Sequence, residues 1–211
     1  MTLLAVPTLM LATGNSGKVA ELSALLALHP GLAGISLLTP RDWPHSLPTV
    51  EETGDTFAEN ALLKARALAG ATGLPALADD SGLCVDALGG RPGLHSARWA
   101  GPDASDADRN AKLLSALARF PDPRDRAARF VCAVAVALPT GEEATGRGEC
   151  GGVILDAARG SGGFGYDPLF LLADLGRTMA ELRQDEKNAR SHRARAVAGL
   201  APRLARLLSA V

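Results

Sequence analysis

The change of hydrophobic periodicity near the start of the chain constrains the fold most. Residues 3–11 form an apolar run of strand length, and residues 13–18 then carry two glycines in a short polar segment. Beyond this segment, apolar residues recur with helical spacing at Val19, Leu22, Leu25 and Leu26. The order predicts a strand, a turn and a helix.

Signals of both kinds recur further along the chain. Residues 35–38 predict a second strand. A capping box formed by Thr56 and Glu59 predicts a helix that ends at Gly73. The sequence also predicts helices over residues 106–119 and 191–208, the latter from the spacing of its apolar residues. Strands and helices therefore alternate over most of the length.

The middle of the chain holds two longer strand candidates. Residues 130–138 and 143–150 flank Pro139-Thr140-Gly141, which is typical of a hairpin, so the sheet is predicted to be mixed. Residues 76–78 predict a short strand, and the glycine-rich and proline-rich stretch after it predicts irregular backbone. With no internal repeat, the chain of 211 residues is predicted to be one domain over residues 1–211.

Composition excludes several broad classes. The formal net charge of −1 gives no overall bias towards a nucleic-acid or membrane partner, so any anion site must be local. Cys84, Cys132 and Cys150 are odd in number and lack Cys-x-x-Cys spacing, which favours small core residues over disulfides or structural zinc. The apolar residues 1–11 contain no basic n-region, and the longest apolar run, residues 130–138, is too short for a membrane span. We expect a cytoplasmic protein.

The polar segment after the first strand predicts a phosphate-binding loop. Backbone amides at a helix N-terminus attract phosphate, and Lys18 adds a positive charge. It is not a P-loop, because two residues separate its first glycine from Gly17 where a P-loop needs four, and Val19 takes the place of Ser or Thr. An ordinary turn with a solvated lysine fits this motif equally well. The candidate substrate-binding residues are Thr13, Gly14, Asn15, Ser16, Gly17 and Lys18.

Two acidic pairs are candidate metal ligands. Glu51 and Glu52 are adjacent, and Asp79 and Asp80 follow the apolar residues 76–78. Clustered carboxylates suit Mg²⁺, which prefers oxygen ligands and keeps waters that can attack phosphorus. Solvated surface charge is the alternative, and for the glutamates alone it is the better one. The position after a strand favours a site role for the aspartates.

Aromatic and basic residues near the C-terminus predict a pocket for a base. Two aromatic residues flank a glycine and offer a stacking platform, while lysine, histidine and arginine supply hydrogen-bond donors. An aromatic core loop and a solvated basic helix are the alternative reading of the same residues. The candidates are Phe164, Gly165, Tyr166, Asp167, Lys187, His192 and Arg193.

Seven segments in order resemble the inosine/xanthosine triphosphate pyrophosphatase family, and they span essentially the whole chain. They are T-G-N-S-G-K at 13–18, E-E-T-G at 51–54, F-A-E-N-A-L-L-K-A at 57–65, A-D-D-S-G-L at 78–83, G-G-R-P-G-L-H-S-A-R at 89–98, G-G-F-G-Y-D-P-L-F at 162–170 and S-H-R at 191–193. The resemblance implies an elongated α/β fold with a mixed central sheet, two lobes around a substrate cleft, and a homodimer. It also implies hydrolysis of ITP, dITP and XTP between the α and β phosphates, which yields the monophosphate and pyrophosphate.

The resemblance implies a role for each candidate. Asp80 is expected to be the general base and a Mg²⁺ ligand, with Glu51 as a second ligand and Asp79 assisting. Residues 13–18 and Lys187 are expected to hold the triphosphate, and Ser81 to contact the substrate. The base pocket is expected to be formed by Phe164, Gly165, Tyr166 and Asp167 together with His192 and Arg193.

Two other functions remain open at this point. A related pyrophosphatase for methylated pyrimidine nucleotides would be expected to carry Ser and Arg in place of T-G-N-S-G-K. A nucleic-acid-binding module would explain the basic tail, but the aromatic content of 4% leaves few side chains for base stacking.

Overall fold

The structure is a computed structural model, and it describes residues 7–209. Its strands are β1 (Thr8–Leu11), β2 (Ser36–Leu38), β3 (Ala76–Val85), β4 (Ala127–Ala137), β5 (Glu143–Ile154), β6 (Phe170–Leu172) and β7 (Arg177–Thr178). They form one sheet in the order β2-β1-β3-β4-β5-β6-β7. β1 is parallel to β2 and β3, whereas β6 is antiparallel to β5 and β7. The predicted mixed α/β sheet is confirmed.

The helices of residues 7–209 are α1 (Ser16–Ala27), α2 (Phe57–Thr72), α3 (Asp106–Leu117), α4 (Gln184–Arg190) and α5 (His192–Ser209). Four of these five helices, α1, α2, α3 and α5, lie where local sequence signals predict a helix. In α2, the Thr56 side chain accepts a bond from the Glu59 amide, and the Glu59 carboxylate accepts one from the Thr56 amide. The helix ends at Gly73, whose φ of 68° is left-handed and therefore favours glycine.

The prediction of irregular backbone after residue 78 is wrong for residues 79–85 and is confirmed for the glycine-rich and proline-rich stretch beyond them, which forms turns and short 3-10 segments. β3 continues through Asp79, Asp80 and Ser81 to Val85. Aspartate and glycine have low strand propensity, but tertiary contacts override it because the buried carboxylate of Asp79 finds cationic partners in this extended conformation. The first strand was predicted over residues 3–11; the structure confirms Thr8–Leu11, and residues 3–6 lie outside the described part. The sequence reading did not predict β6, β7 or α4.

Contacts divide the described chain into two units. Unit 1 takes residues 7–80, 132–148 and 193–209, and unit 2 takes residues 81–131 and 149–192. In unit 1, leucines of β1 and α1 pack with one face of α5, including Leu9, Leu22, Val197, Leu200 and Leu204. In unit 2, the core includes Leu83, Leu113, Phe130, Tyr166 and Phe170. A single domain and two lobes around a cleft stay predictions.

Two of the three cysteines are core residues, as the sequence predicts. Cys132 and Cys150 are buried core residues, Cys84 is half-buried, and no disulfide joins the three. Within residues 7–209, no helix combines the length and the apolar character that a membrane crossing needs.

Candidate active site

The predicted phosphate loop lies at the start of α1, in unit 1. Asn15 caps the helix, and its Oδ1 accepts hydrogen bonds from the amides of Gly17 at 2.9 Å and Lys18 at 3.2 Å. Thr13 Oγ1 in turn accepts from the Asn15 amide at 3.2 Å. The loop is therefore held by its own side chains. Asn15 engages the amides of Gly17 and Lys18, and the helix dipole and the Lys18 charge add to the attraction for an anion.

Lys18 is not a solvated surface lysine. Its Nζ lies 3.1 Å from Asp79 Oδ2, and its side chain is only 18% exposed. The contact joins the phosphate loop to β3, the strand that carries both candidate aspartates. The structure thus brings the phosphate loop to the acidic pair of Asp79 and Asp80.

Asp79 lies in a buried cluster of four charges. Arg193 donates to Asp79 Oδ2 through Nε at 3.2 Å and Nη2 at 3.0 Å, and its Nη1 donates to Glu21. Arg193 and Asp79 are each 1% exposed. With Lys18, the cluster holds two carboxylates and two cations, so the charges balance.

The electrostatics favour the charged forms of Asp79 and Arg193. Burial by itself would raise the pKa of Asp79, but the charges of Lys18 and Arg193 outweigh it and hold that pKa below its ordinary value. Burial works in the opposite direction on Arg193, and Asp79 more than compensates, so the pKa of the guanidinium is raised. The guanidinium is engaged by two carboxylates here, and contact between Arg193 and a base stays a prediction.

Asp80 has a different environment. Lys64 Nζ lies 3.3 Å from Asp80 Oδ1 and 2.8 Å from Glu52 Oε1, so one ammonium bridges two carboxylates. Asn60, one turn before Lys64 on α2, donates from Nδ2 to Asp80 Oδ2 at 3.3 Å. Burial raises the pKa of Asp80 above its ordinary value; Lys64 opposes this shift and Glu52 adds to it. A carboxylate with a raised pKa and long hydrogen bonds is suited to accept a proton.

Glu52, rather than Glu51, is the glutamate that the structure brings to this group. Glu52 is half-buried and bound to Lys64, whereas Glu51 is exposed. No cluster of three or more acidic, histidine or cysteine side chains suited to a metal occurs among residues 7–209. Mg²⁺ in proteins often has only one or two carboxylate ligands and keeps its waters, so the donor set of Glu52 and Asp80 fits it. Glu51 as a ligand stays a prediction.

The predicted base segment lies in unit 2 and is held by Asp167. Its Oδ2 accepts from the Phe164 amide at 3.0 Å and pairs with Lys187 Nζ at 2.7 Å. The Lys187 ammonium also lies 5.0 Å from the centroid of the Phe164 ring, within cation–π distance. The Asp167 and Lys187 side chains are both buried. Lys187 thus groups with the aromatic segment, and its contact with phosphate stays a prediction.

The two aromatic residues of this segment differ in role. Tyr166 is 4% exposed, belongs to the unit 2 core and donates its hydroxyl to the Ser96 carbonyl at 2.9 Å. Burial raises its pKa. Phe164 is partly exposed, so its ring is the better candidate for stacking. His192 is buried and stacks on Phe130, with ring centroids 4.8 Å apart.

The site residues fall into two groups, one in each unit. Unit 1 holds residues 13–18, Asp79, Asp80 and Arg193, and unit 2 holds Ser81, residues 164–167, Lys187 and His192. Ser81 is half-buried in β3. Sequence reasoning assigned no role to Glu21, Asn60 and Lys64. The four-residue spacing of Asn60 and Lys64 places both on one face of α2, and Glu21 is a charge beside the apolar stripe of α1; both signals were readable.

A mixed sheet with a glycine loop and lysine-bridged carboxylates defines an α/β protein with a charged site suited to a phosphate-bearing ligand. The chain belongs to the Ham1 family, whose sequence model matches residues 9–203. It is 54% identical to a dITP/XTP pyrophosphatase of Symbiobacterium thermophilum over 95% of this chain and 96% of that protein. A dITP/XTP pyrophosphatase of Geobacter sulfurreducens is also 54% identical, over 90% of this chain and 92% of that protein.

A solved structure agrees with the sequence relatives. The HAM1 protein of Coxiella burnetii superposes with a TM-score of 0.80 at 42% identity, over 97% of this chain and all (100%) of that one. The family that the seven segments resemble is thereby confirmed.

Proposed function

We propose that this protein hydrolyses the deaminated purine nucleoside triphosphates ITP, dITP and XTP to the nucleoside monophosphate and pyrophosphate. The contact of the Lys64 ammonium with both Glu52 and Asp80 carries the proposal. It places a proton acceptor, the Asp80 carboxylate, beside a positive charge that suits a phosphate. The names of relatives that are 54% identical indicate the substrate class.

Asp80 is the proposed general base. It takes the proton of the water that attacks the α phosphorus, and the bond from that phosphorus to the bridging oxygen of pyrophosphate breaks. Lys64 orients the Asp80 carboxylate and stabilises the negative charge that develops nearby. Lys18 holds the triphosphate as a point charge, and the Asp79–Arg193 pair fixes the position of Lys18.

Mg²⁺ is the proposed cofactor. Glu52 and Asp80 are the carboxylates that would hold it, on the fit of the donor set described above. When bound, the ion supplies charge neutralisation on the phosphate oxygens. The same two carboxylates share the Lys64 ammonium, which keeps them at a fixed spacing.

The base is proposed to stack on Phe164. The nearby Lys187 offers a donor for a purine oxygen, and its pairing with Asp167 fixes its position. His192 is held by its stacking on Phe130. A donor-lined pocket accepts the oxygen on C6 of hypoxanthine or xanthine but meets the amino group of adenine donor to donor, which leaves a buried polar group unsatisfied.

The test is pyrophosphate release with Mg²⁺ from a panel of ITP, dITP, XTP, ATP, GTP and dTTP. We expect kcat/KM for the three deaminated purines to exceed that for ATP by at least about 100-fold, since required hydrogen bonds discriminate by up to ~10⁴–10⁵. Equal rates for all six nucleotides, or release of orthophosphate instead of pyrophosphate, would contradict the proposal. Chelation of the metal should abolish release, and added Mg²⁺ should restore it.

A homodimer and a cytoplasmic location are further proposals that depend on the family resemblance. Light scattering coupled to size-exclusion chromatography tests the first, with about twice the mass of 21.7 kDa expected. Fractionation of cells tests the second.

A further inference from the structure

Both backbone groups of Gly165 are held by side chains of α3. Asp106 Oδ2 accepts a hydrogen bond from the Gly165 amide at 2.7 Å. Asn110 Nδ2 donates to the Gly165 carbonyl at 3.0 Å. The two side chains are 59 and 55 residues away from Gly165 in sequence and one helical turn apart on α3. Gly165 lies at a φ of 63°, a left-handed conformation that a side chain would strain.

These two bonds restrain both peptide planes that meet at Gly165. The amide belongs to the peptide bond with Phe164, and the carbonyl belongs to the peptide bond with Tyr166. Restraining both planes restrains the φ and ψ of Gly165, and therefore the direction of the Phe164 ring relative to Tyr166. Tyr166 is anchored independently by its hydroxyl bond to the Ser96 carbonyl. The direction of the Phe164 ring is thus set relative to Tyr166, which is fixed in the core.

The helix that holds the glycine is itself well fixed. Leu113 and Leu117 on α3 are fully buried in the unit 2 core. Ser105 and Asp108 form a capping box at the start of the helix, with Ser105 Oγ accepting from the Asp108 amide. The Asp106 oxygen that does not face Gly165 pairs with Arg109, which restrains the carboxylate. A rigid element therefore presents one acceptor and one donor to the loop at residues 163–167.

We propose that Asp106 and Asn110 are positioning residues that set base recognition by fixing the Phe164 ring. The inference depends on the proposed function, since it assigns Phe164 to the base. Neither side chain touches the substrate. Their loss leaves the Asp80 and Lys18 groups of unit 1 intact, so the defect falls on binding of the base and not on binding of the phosphates.

The experiment compares two variants on the same turn of α3. Asn110→Asp keeps the shape but turns a donor towards the Gly165 carbonyl into an acceptor, so the bond is lost and two oxygens face each other. Asp108→Asn is the matched control, because it weakens the capping box of the same helix without touching Gly165. Asp106→Ala and Asp106→Asn form a second pair, in which only the asparagine keeps an oxygen acceptor for the glycine amide.

Two inhibition constants distinguish an effect on binding of the base from an effect on binding of the phosphates. With dITP as substrate, we expect the Ki of inosine monophosphate to rise roughly tenfold in Asn110→Asp and Asp106→Ala, in line with a lost and unsatisfied hydrogen bond. The Ki of pyrophosphate should stay within a factor of about two. Asp108→Asn should change neither constant, and Asp106→Asn should lie between the alanine variant and the wild type. An equal rise of both constants, or none in either, would overturn the inference.

A second readout needs no activity. Amide hydrogen exchange in a peptide covering residues 163–167 should accelerate at least about fivefold in Asn110→Asp and Asp106→Ala, and should be unchanged in Asp108→Asn. Unchanged exchange in the first two variants would overturn the inference even if the inhibition constants moved. If the wild type released no pyrophosphate from dITP, the proposed function would fail, while exchange would still decide whether α3 holds this loop.

Discussion

Removal of Arg193 is the most informative perturbation of the buried charge cluster. Arg193→Met keeps much of the length and apolar volume of the side chain but deletes the guanidinium. Asp79 then retains Lys18 as a cationic partner at 3.1 Å, whereas Glu21 loses the guanidinium that it contacts. Glu21 is 5% exposed and cannot recover full hydration without movement of α1.

The magnitude follows from the burial of this cluster. Removing one partner of a buried ion pair costs about 3–5 kcal/mol, because a buried charge is left uncompensated. At this size, each kcal/mol shifts Tm by roughly 2–4 °C, so we expect Tm to fall by about 6–20 °C. Arg195→Met on the same helix is the control; Arg195 is exposed, and a surface substitution of this kind stays within about 0.5 kcal/mol.

The assay is urea unfolding monitored by circular dichroism. It compares the single variants Arg193→Met and Glu21→Leu with the double variant Glu21→Leu/Arg193→Met. We expect the double variant to be more stable than Arg193→Met, because the buried carboxylate that lost its guanidinium partner is gone and an apolar pair replaces it. A loss below about 1 kcal/mol in Arg193→Met would refute the reasoning, since it would mean that water or another cation already compensates Glu21. Strictly additive effects in the double variant would refute the coupling.

Three further substitutions test other parts of the structure. Asp80→Asn should lower kcat for dITP by ~10²–10⁴ with little change in Tm, as measured by pyrophosphate release; near-normal turnover in a folded variant would remove Asp80 as the base. Lys18→Ala should raise KM for dITP while the inhibition constant of inosine, which lacks phosphate, is unchanged; unaltered KM and kcat would place the phosphate site elsewhere. Gly146→Ala should destabilise the fold by about 1–3 kcal/mol in urea unfolding, because its Cβ would lie 2.3 Å from the Ala196 carbonyl oxygen. Gly151→Ala in the same strand has no atom within 4 Å of its Cβ and should be nearly neutral; equal losses in both would contradict the crowding argument.

Much of the fold could be predicted because its signals are local. A capping box with a terminal glycine defines both ends of α2, and the change of periodicity after β1 places α1. β6 and β7 were missed because strands of three and two residues carry too few side chains for a periodic pattern.

The candidate site likewise has features that the sequence predicts and features that it does not. Its residue types and their order were readable, and the seven segments were sufficient for the family. Distance in sequence hid the partners: Arg193 lies 114 residues from Asp79, and no local pattern reports that its guanidinium binds a carboxylate of β3. The choice between Glu51 and Glu52 likewise depends on which carboxylate reaches Lys64, 12 residues beyond Glu52.

The sequence by itself determined four of the five helices in residues 7–209, most of the longer strands, the family and the chemical character of the site, since propensity, capping and motif order are properties of neighbouring residues. Only the tertiary structure decided which charges are buried together, that β3 stays extended through Asp79 and Asp80, and that Tyr166 packs in the core. The physical reason is that burial and charge pairing depend on residues far apart in the chain. These long-range terms override local propensity wherever an unpaired buried charge would cost more than an unfavourable backbone conformation.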